Sequence, residues 1–241
     1  MRYGIISDIH SNLEAMESVI HAFKEQHIQS LFCLGDLVGY GANPLPCLKM
    51  IQELNIISVA GNHDWAVSGK FDFTNFNPAA QEAVLWTRSQ LTSEHKQFLN
   101  NLDLIYQNDS FILVHGTLNQ PEFFYYLFSN EDSMETFHLM DRSVCFVGHT
   151  HIPQIFIKRE ENIIQWPLKE VDVDQKNKYI VNVGSVGQPR DGNPMAAYCI
   201  FDTVLKKIEI KRIRYDVNKA RLKILRAGLP QSLAQRLAIG L

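Results

Sequence analysis

The 241-residue chain is poor in cysteine and has no long apolar run. Its four cysteines form no C-x-x-C pair, which disfavours a disulfide framework or a thiolate zinc site. The longest stretch without Asp, Glu, Lys or Arg runs over 15 residues from Ser143 to Ile157 and contains His149, His151 and Pro153. It is too short and too polar to form a transmembrane helix, so we expect no membrane association.

A charge excess of one sign is also missing, because 23 Lys and Arg against 26 Asp and Glu give a net charge of −3. Without a run of basic residues, binding to nucleic acid or to an anionic membrane surface is not favoured. Asp8 interrupts the apolar run near the amino end and leaves too short a segment for a signal peptide, so we expect a cytoplasmic protein. The hydrophobic fraction of 46% is that of an ordinary folded protein.

The first part of the chain alternates short apolar runs with helical segments. Strands are predicted at Tyr3–Ser7, Ser30–Leu34, Ile56–Ala60 and Phe111–Val114. Helices are predicted at about Leu13–Gln26 with a capping box of Ser11 and Glu14, from Pro44, from Pro78 to about Leu102 with a break near Leu91, and at Asn130–Asp141. Because the early strands are nearly continuous apolar runs in β-α-β order, we expect parallel pairing in a sheet covered on both faces.

From Val144 onward, short strands follow one another with turn residues between them. They are predicted at Val144–Val147, Gln154–Lys158, Ile163–Trp166, Tyr179–Val183, Ala197–Asp202 and Lys207–Arg214, and helices follow at Asp216–Ala227 and Gln231–Ile239. Such a series predicts a second, mostly antiparallel sheet. Since no linker, low-complexity tract or internal repeat divides the chain, we expect residues 1–241 to form one domain in which the two sheets share a core.

Polar side chains directly follow five of the apolar strands. The residues are Asp8 and His10, Asp36, Asn62 and His63, His115, and His149 and His151. Because sites in open α/β sheets form beyond the carboxyl ends of strands, we expect these side chains to converge. Asp8 and His10 are two positions apart, as are His149 and His151. In extended backbone, residues with this spacing project to the same side. Imidazoles mixed with carboxylates suit a divalent transition metal rather than calcium or magnesium alone.

Each of these residues also has an ordinary structural explanation. A single histidine after a strand is usually a hydrogen-bonded loop residue, and Gly-Asp or Gly-Asn is a common turn dipeptide. Gly35, Gly61 and Gly148 directly precede three of the polar positions, which suits sharp turns at strand ends. Five such coincidences in one chain are much harder to explain as turns alone, and they predict a metal site.

Five motifs in this order resemble the signature of the calcineurin-like metallophosphoesterase superfamily: D-x-H at Asp8, G-D at Asp36, G-N-H at Asn62, a histidine at His115 and G-H-T-H at His149. The resemblance spans residues 8 to 151. It implies an α/β fold, a four-layer α-β-β-α sandwich of two mixed sheets, with a dinuclear metal centre at the carboxyl edges of both sheets. It also implies hydrolysis of a small-molecule phosphoester or phosphoanhydride.

The resemblance further implies a role for each polar residue. One metal ion would be held by Asp8, His10 and His151 and a second by Asn62, His115 and His149, with Asp36 as the bridge. Two divalent transition-metal ions (Mn, Fe, Zn, Ni or Co) would activate a metal-bridging hydroxide for in-line attack at phosphorus. His63, which is beside a ligand rather than being one, would stabilise or protonate the leaving oxygen.

The chain departs from the protein Ser/Thr phosphatases of that superfamily. Where those enzymes carry G-D-x-V-D-R-G, this chain has Gly39 and Tyr40 in place of the Asp that would orient His63 and the Arg that would grip phosphate. A protein phosphatase is therefore less favoured. The segment G-S-V-G-Q-P-R-D-G, which contains Arg190, instead resembles a small bacterial and archaeal phosphoesterase branch, some of whose members are described as acting on phosphodiesters or dinucleoside polyphosphates.

The sequence allows more than one role for Arg190, for the aromatic residues at 123–128 and for the whole chain. Arg190 could supply the missing phosphate contact, or it could be a surface charge in a loop. The aromatic residues at 123–126 and 128 could stack on a nucleobase, although core packing is the more common role of such a cluster. Besides a general phosphoesterase, the chain could be a dinucleoside-tetraphosphate hydrolase or a non-catalytic scaffold on the same fold. The scaffold would need lost ligands, yet all seven ligand positions and His63 are present.

Overall fold

The computed structural model describes residues 1–167 and 169–241, and these form two six-stranded sheets. The first sheet contains β1 (Arg2–Ile6), β2 (Ser30–Cys33), β3 (Ile57–Ser58), β9 (Glu170–Asp172), β11 (Ala196–Asp202) and β12 (Lys207–Ile213). The second sheet contains β4 (Ile105–Gln107), β5 (Ile112–Val114), β6 (Val144–Val147), β7 (Gln154–Arg159), β8 (Asn162–Trp166) and β10 (Lys178–Asn182). The strand orders are β3-β2-β1-β11-β12-β9 and β4-β5-β6-β10-β7-β8.

Helices cover the outer faces of both sheets. They are α1 (Leu13–Glu25), α2 (Pro44–Glu53), α3 (Asn62–Ser68), α4 (Pro78–Gln90), α5 (Ser93–Asn100), α6 (Asn130–Leu139), α7 (Val217–Arg226) and α8 (Gln231–Ile239). The cap of α1 is not the predicted Ser11–Glu14 box. Asn12 caps the helix by accepting a hydrogen bond from the Ala15 N–H at 3.2 Å. Ser11 has a left-handed φ of 55° and still belongs to the preceding loop.

Alternate side chains of the central strands point into different layers. On β1, Ile5 lies in the core between the two sheets, whereas Ile6 joins the cluster formed with α1. On β6, Phe146 lies between the sheets, whereas Cys145 and Val147 pack with Phe137 of α6. This alternation with period two buries both faces of each sheet. The predicted α/β sandwich of two mixed sheets is confirmed.

The prediction that the late strands form a second, mostly antiparallel sheet is wrong for β11 and β12. β11 pairs antiparallel with β1, and β12 pairs with β11, so both extend the first sheet. The second sheet includes two parallel pairs, β5 with β6 and β6 with β10. A strand's apolar pattern shows which faces are buried, but it does not show which sheet edge the strand joins. The sequence also failed to predict β4, β9 and α3, which have three, three and seven residues.

Two basic residues of α7 serve helix packing. Lys223 Nζ lies 2.6 Å from Oε1 of Glu14, a buried residue of α1, and 2.9 Å from Oδ1 of Asn43. Lys219 Nζ lies 3.3 Å from the same carboxylate oxygen. These ion pairs hold α7 against α1. Leu237 of α8 lines a small cavity together with His10 and Tyr40.

All four cysteines are buried free thiols. Within residues 1–167 and 169–241, no helix has the length and apolar character needed to cross a membrane.

Candidate metal centre

The loops after β1, β2, β5 and β6 meet at one edge of the two sheets. They bring together two groups of buried side chains, and within each group the potential ligand atoms lie within 4.8 Å of one another. The first group is Asp8, His10, Asp36 and His151, and the second is Asp36, His115 and His149. The structure therefore brings six of the seven predicted ligand residues together, with Asp36 common to both groups.

The backbone reaches this arrangement through tight loops rather than extended strands. Five of the six residues have a positive φ, between 47° and 67°: Asp8, His10, Asp36, His149 and His151. The expectation that residues two apart project together from extended backbone is therefore wrong, although the side chains do converge. A left-handed residue other than glycine costs of the order of 1 kcal/mol or more, so the surrounding structure must hold these loops in place.

Backbone hydrogen bonds between the loops provide that support. The N–H groups of Asp8 and His10 donate to the carbonyl oxygens of Gly35 and Asp36 at 3.0 and 2.9 Å. Gly61 is required here by close approach, because a Cβ atom at this position would lie 2.7 Å from Cγ of Asp36. The loop after β2 is thus packed tightly between the loop after β1 and the start of α3.

The ring orientations of His10 and His151 leave two lone pairs facing each other. Burial lowers the pKa of His10 well below its ordinary value, against the opposing effect of Asp36, and burial and Arg190 lower the pKa of His151. In these neutral rings Nδ1 donates to a backbone carbonyl oxygen. Nδ1 of His10 donates to Val38 at 3.1 Å, and Nδ1 of His151 donates to Gln188 at 2.5 Å. The two Nε2 atoms then both carry lone pairs, 3.1 Å apart, which a cation between them would stabilise.

The two carboxylates stay ionised although they are buried. Burial alone would raise the pKa of Asp8, but His151 and His115 outweigh it and hold that pKa below the ordinary value. Burial likewise opposes the ionisation of Asp36, whose pKa is nevertheless held well below its usual range by His115 and His63. One oxygen of each carboxylate accepts a backbone hydrogen bond. Oδ2 of Asp8 accepts from the N–H of His149 at 3.1 Å, and Oδ1 of Asp36 accepts from the N–H of His63 at 2.9 Å.

The remaining carboxylate oxygens face the histidines. Oδ2 of Asp36 lies 3.4 Å from Nε2 of His10 and 3.4 Å from Nε2 of His115. Oδ1 of Asp8 lies 3.2 Å from Nε2 of His151 and accepts no hydrogen bond within the part of the chain that the structure describes. An Asp36 oxygen placed between both groups fits the bridging role that the family resemblance implies.

Asn62, the seventh predicted ligand, is the first residue of α3. Its Oδ1 is buried and has no hydrogen-bond partner among residues 1–167 and 169–241. Asn62 lines one pocket together with His63 and His149. An unpaired amide oxygen, ionised carboxylates and imidazoles form a donor set that fits divalent transition metals.

His63 lies at the edge of this centre and is held by aromatic packing. Its ring centroid is 4.5 Å from that of Tyr40, 5.0 Å from that of Phe76 and 4.9 Å from that of His10. Nδ1 has no hydrogen-bond partner in the described part of the chain. A Cβ atom at Gly39 would lie 2.6 Å from this nitrogen, so the ring leaves no room for an orienting carboxylate there. Tyr40 and Phe76 therefore orient His63.

Arg190 is fixed next to the site by its own loop. Its Nη2 and Nε donate to Oε1 of Gln188 at 2.8 and 3.2 Å, and its backbone N–H donates to the His151 carbonyl at 3.3 Å. The guanidinium carbon lies 5.7 Å from the ring centroid of Tyr40. The structure therefore places the positive charge of Arg190 beside His151 and Tyr40, at the mouth of the centre.

Asp64 is a supporting residue that the sequence analysis missed. Its carboxylate accepts backbone N–H groups of Leu37 at 2.9 Å, Val38 at 3.2 Å and Gly61 at 3.1 Å. These bonds fasten the loop after β2 to the beginning of α3. The sequence does contain a signal for this role. Asp64 lies three positions after the helix cap Gly61, and an acidic residue at that position is typical of a helix start.

Comparisons with known proteins point to one family. The model of the calcineurin-like phosphoesterase superfamily domain matches residues 1–206. Uncharacterized protein MJ0912 of Methanocaldococcus jannaschii is 44% identical over 241 residues, which cover 98% of this chain and 97% of that protein. Phosphodiesterase YfcE of Escherichia coli K12 is 33% identical over 132 residues, which cover 50% of this chain and 71% of that protein. The crystal structure of a metallophosphoesterase from Sphaerobacter thermophilus matches with a TM-score of 0.86 at 37% identity, covering 100% of this chain and 99% of that one.

We expect the chain to bind two divalent transition-metal ions, and binding to be coupled to proton release. Burial opposes protonation of His115, but Asp36 and Asp8 raise its pKa to about 9. Because a metal ion must displace this proton, apparent affinity should increase as the pH rises towards that value. Calorimetry at pH 7 in two buffers of different ionisation enthalpy would measure the proton released.

The matched variants for this test are Asp36→Asn and Asp109→Asn, the second at an exposed position outside the site. Asp36→Asn should lower the metal content measured by elemental analysis, because a bridging ligand neutralises charge on both ions, and Asp109→Asn should leave it unchanged. A fully active protein with one ion or none would contradict the two-metal prediction.

Proposed function

Because the chain belongs to the calcineurin-like phosphoesterase superfamily, we propose that it hydrolyses a phosphoester or phosphoanhydride bond of a small molecule with two divalent transition-metal ions. The observation that carries this proposal is the pair of buried ligand groups that have Asp36 in common. When bound, two such ions would activate a water molecule as the nucleophile and neutralise charge on the phosphoryl oxygens.

The proposed ligand set is the one that the resemblance implies. Asp8, His10 and His151 would hold one ion, and Asn62, His115 and His149 the other, with Asp36 between them. The carbonyl groups that accept from Nδ1 of His10, His115 and His151 fix each ring with Nε2 turned inward. Such outer contacts set the tautomer and orientation of metal-ligating histidines.

His63 is proposed to act on the leaving oxygen. Burial lowers its pKa to about 4, with Asp36 opposing and Arg190 reinforcing the shift, so the ring is neutral at pH 7. A neutral imidazole can donate an N–H hydrogen bond to developing negative charge, and a bound phosphoryl group would raise the pKa of the ring towards protonation.

A panel of phosphate compounds assayed after loading with Mn, Fe, Zn, Ni, Co or Mg separately would test the proposed function. The panel should contain monoesters, diesters, a dinucleoside tetraphosphate and a phosphopeptide, with product analysis for each. We expect metal-dependent hydrolysis of at least one small-molecule substrate and its loss in Asp36→Asn. A protein that binds metal but hydrolyses none of them would be a non-catalytic scaffold.

We expect His63→Ala to lower kcat by about 10²-fold or more with little change in metal content, because general-acid groups contribute roughly 10²–10⁴-fold. The loss should be smaller for nitrophenyl esters, whose leaving groups need little protonation. His138→Ala removes an exposed histidine of α6 and serves as the control. Equal losses for good and poor leaving groups would instead assign charge stabilisation to His63.

We expect Arg190→Ala to raise KM for phosphate esters and to lower kcat/KM by about tenfold or more, or about 1.4 kcal/mol. The guanidinium can bind two phosphoryl oxygens at once, so Arg190→Lys should restore only part of the loss. Metal content should not change.

The control for Arg190 is Arg159→Ala. Arg159 follows Lys158, which pairs with the first residue of β10, so it lies at the sheet edge opposite the site. If Arg190→Ala behaved like Arg159→Ala on every hydrolysed substrate, Arg190 would be a surface charge.

A further inference from the structure

A pocket of about 260 Å³ adjoins the candidate metal centre. Asn62, His63 and His149 form the side that it shares with the centre. Much of the remaining wall is aromatic and includes Tyr40, Phe76, Phe123, Phe124 and Tyr126. A group held in this aromatic pocket would therefore be next to any phosphate bound at the centre.

The aromatic segment at residues 123–128 faces this pocket and the solvent rather than the core. Phe123 is 52% exposed and Tyr126 49% exposed, whereas Phe124 alone among the five aromatic residues of the segment is buried, at 3%. The expectation of ordinary core packing is therefore wrong for most of the segment. A contiguous group of exposed aromatic side chains beside a polar site is typical of a binding surface.

Contacts of Phe124 and Tyr126 anchor the segment beside the candidate site. The buried Phe124 packs edge to face against Trp65, with centroids 5.5 Å apart, and against Phe71, with centroids 5.3 Å apart. Tyr126 stacks on the ring of His149 with centroids 4.0 Å apart and an interplanar angle of 12°. Tyr126 thus links a candidate ligand residue to the aromatic wall of the pocket.

Polar, charged and aromatic residues meet around the pocket. The guanidinium of Arg190 is 5.7 Å from the ring centroid of Tyr40, which belongs to the aromatic wall, and the proposed ligands Asn62 and His149 line the same pocket. Asn75 also lines the pocket and adds a hydrogen-bonding residue. This arrangement matches a phosphate joined to a planar ring that has polar edges.

We infer that the aromatic pocket binds the nucleobase of a nucleotide whose phosphate lies at the metal centre, an inference that rests on the proposed function. A base stacks on aromatic side chains through its π face, and its edge offers donors and acceptors to an asparagine amide. At about 260 Å³ the cavity lies just under the roughly 300–1,000 Å³ of pockets for drug-sized ligands, which leaves room for a single base.

Calorimetric titration of the metal-loaded protein with non-hydrolysable phosphonate analogues of AMP and of ribose 5-phosphate would test this inference. The two ligands differ only in the base. We expect the AMP analogue to bind about tenfold or more tightly, the gain that base stacking typically gives. Equal affinities would overturn the inference, and so would phenylphosphonate binding as tightly as the AMP analogue, since it has a ring without polar edges.

Phe123→Ala and Tyr126→Leu should each reduce the preference for the AMP analogue about fivefold or more. Phe123→Ala should also leave ribose phosphonate binding unchanged. Met134→Ala, which removes an exposed apolar side chain of α6 outside the pocket, is the matched control. A preference that survives both aromatic substitutions would overturn the inference.

Adenosine separates failure of the pocket from failure of the proposed function. If neither phosphonate binds, the proposed phosphoesterase function fails, and adenosine binding that Phe123→Ala abolishes would still support the base pocket. If adenosine fails to bind as well, the pocket assignment fails with it.

Discussion

Two ionised carboxylates buried against histidine rings impose the constraint on which this structure depends. Asp8 and Asp36 are almost fully buried, and a buried charge is costly unless it is paired and hydrogen-bonded. Each has one oxygen held by a backbone N–H, while the other oxygen faces imidazole nitrogens. Because the neutral rings of His10 and His151 supply lone pairs rather than positive charge, a metal cation would balance the negative charge that remains in the cluster.

The surrounding fold is arranged to hold that cluster in place. Five left-handed residues at the site are individually unfavourable, and they persist because the loops that carry them are hydrogen-bonded to one another. Asp64 fastens the loop after β2 to α3, and Gly61 allows the two segments to approach closely. The sandwich therefore acts as a rigid frame for side chains that would otherwise repel each other.

The sequence predicted the fold class and the convergence of the polar side chains, but it did not predict the conformation of their loops or the sheet that the last strands join. The positions of Asp8, Asp36 and His149 directly after apolar strands were sufficient to anticipate convergence, because strand ends share one edge of a sheet. The left-handed loops were not predictable, since non-glycine residues rarely adopt that conformation and only neighbouring loops stabilise it. The sheet membership of β11 and β12 was also missed, because it is decided by long-range pairing with β1.

The exposed aromatic segment was misjudged for a related reason. The sequence shows that the segment is rich in aromatic residues, but it does not show which of them are buried. Phe124 is buried, whereas Phe123 and Tyr126 are exposed. Similarly, Tyr40 could be recognised as a departure from a phosphatase pattern. Its packing on His63 and its closeness to Arg190 became visible only in three dimensions.

The division of the metal centre between the two sheets has a consequence for the order of folding. Asp8, His10 and Asp36 come from the first sheet, whereas the histidines that complete the two groups follow strands of the second, and His149 is 141 residues from Asp8. Contacts so distant along the chain form slowly, because closing a long loop costs chain entropy before the contact is made. The complete ligand set therefore exists only after both sheets have closed on each other, and metal binding to it would stabilise the finished sandwich rather than nucleate it.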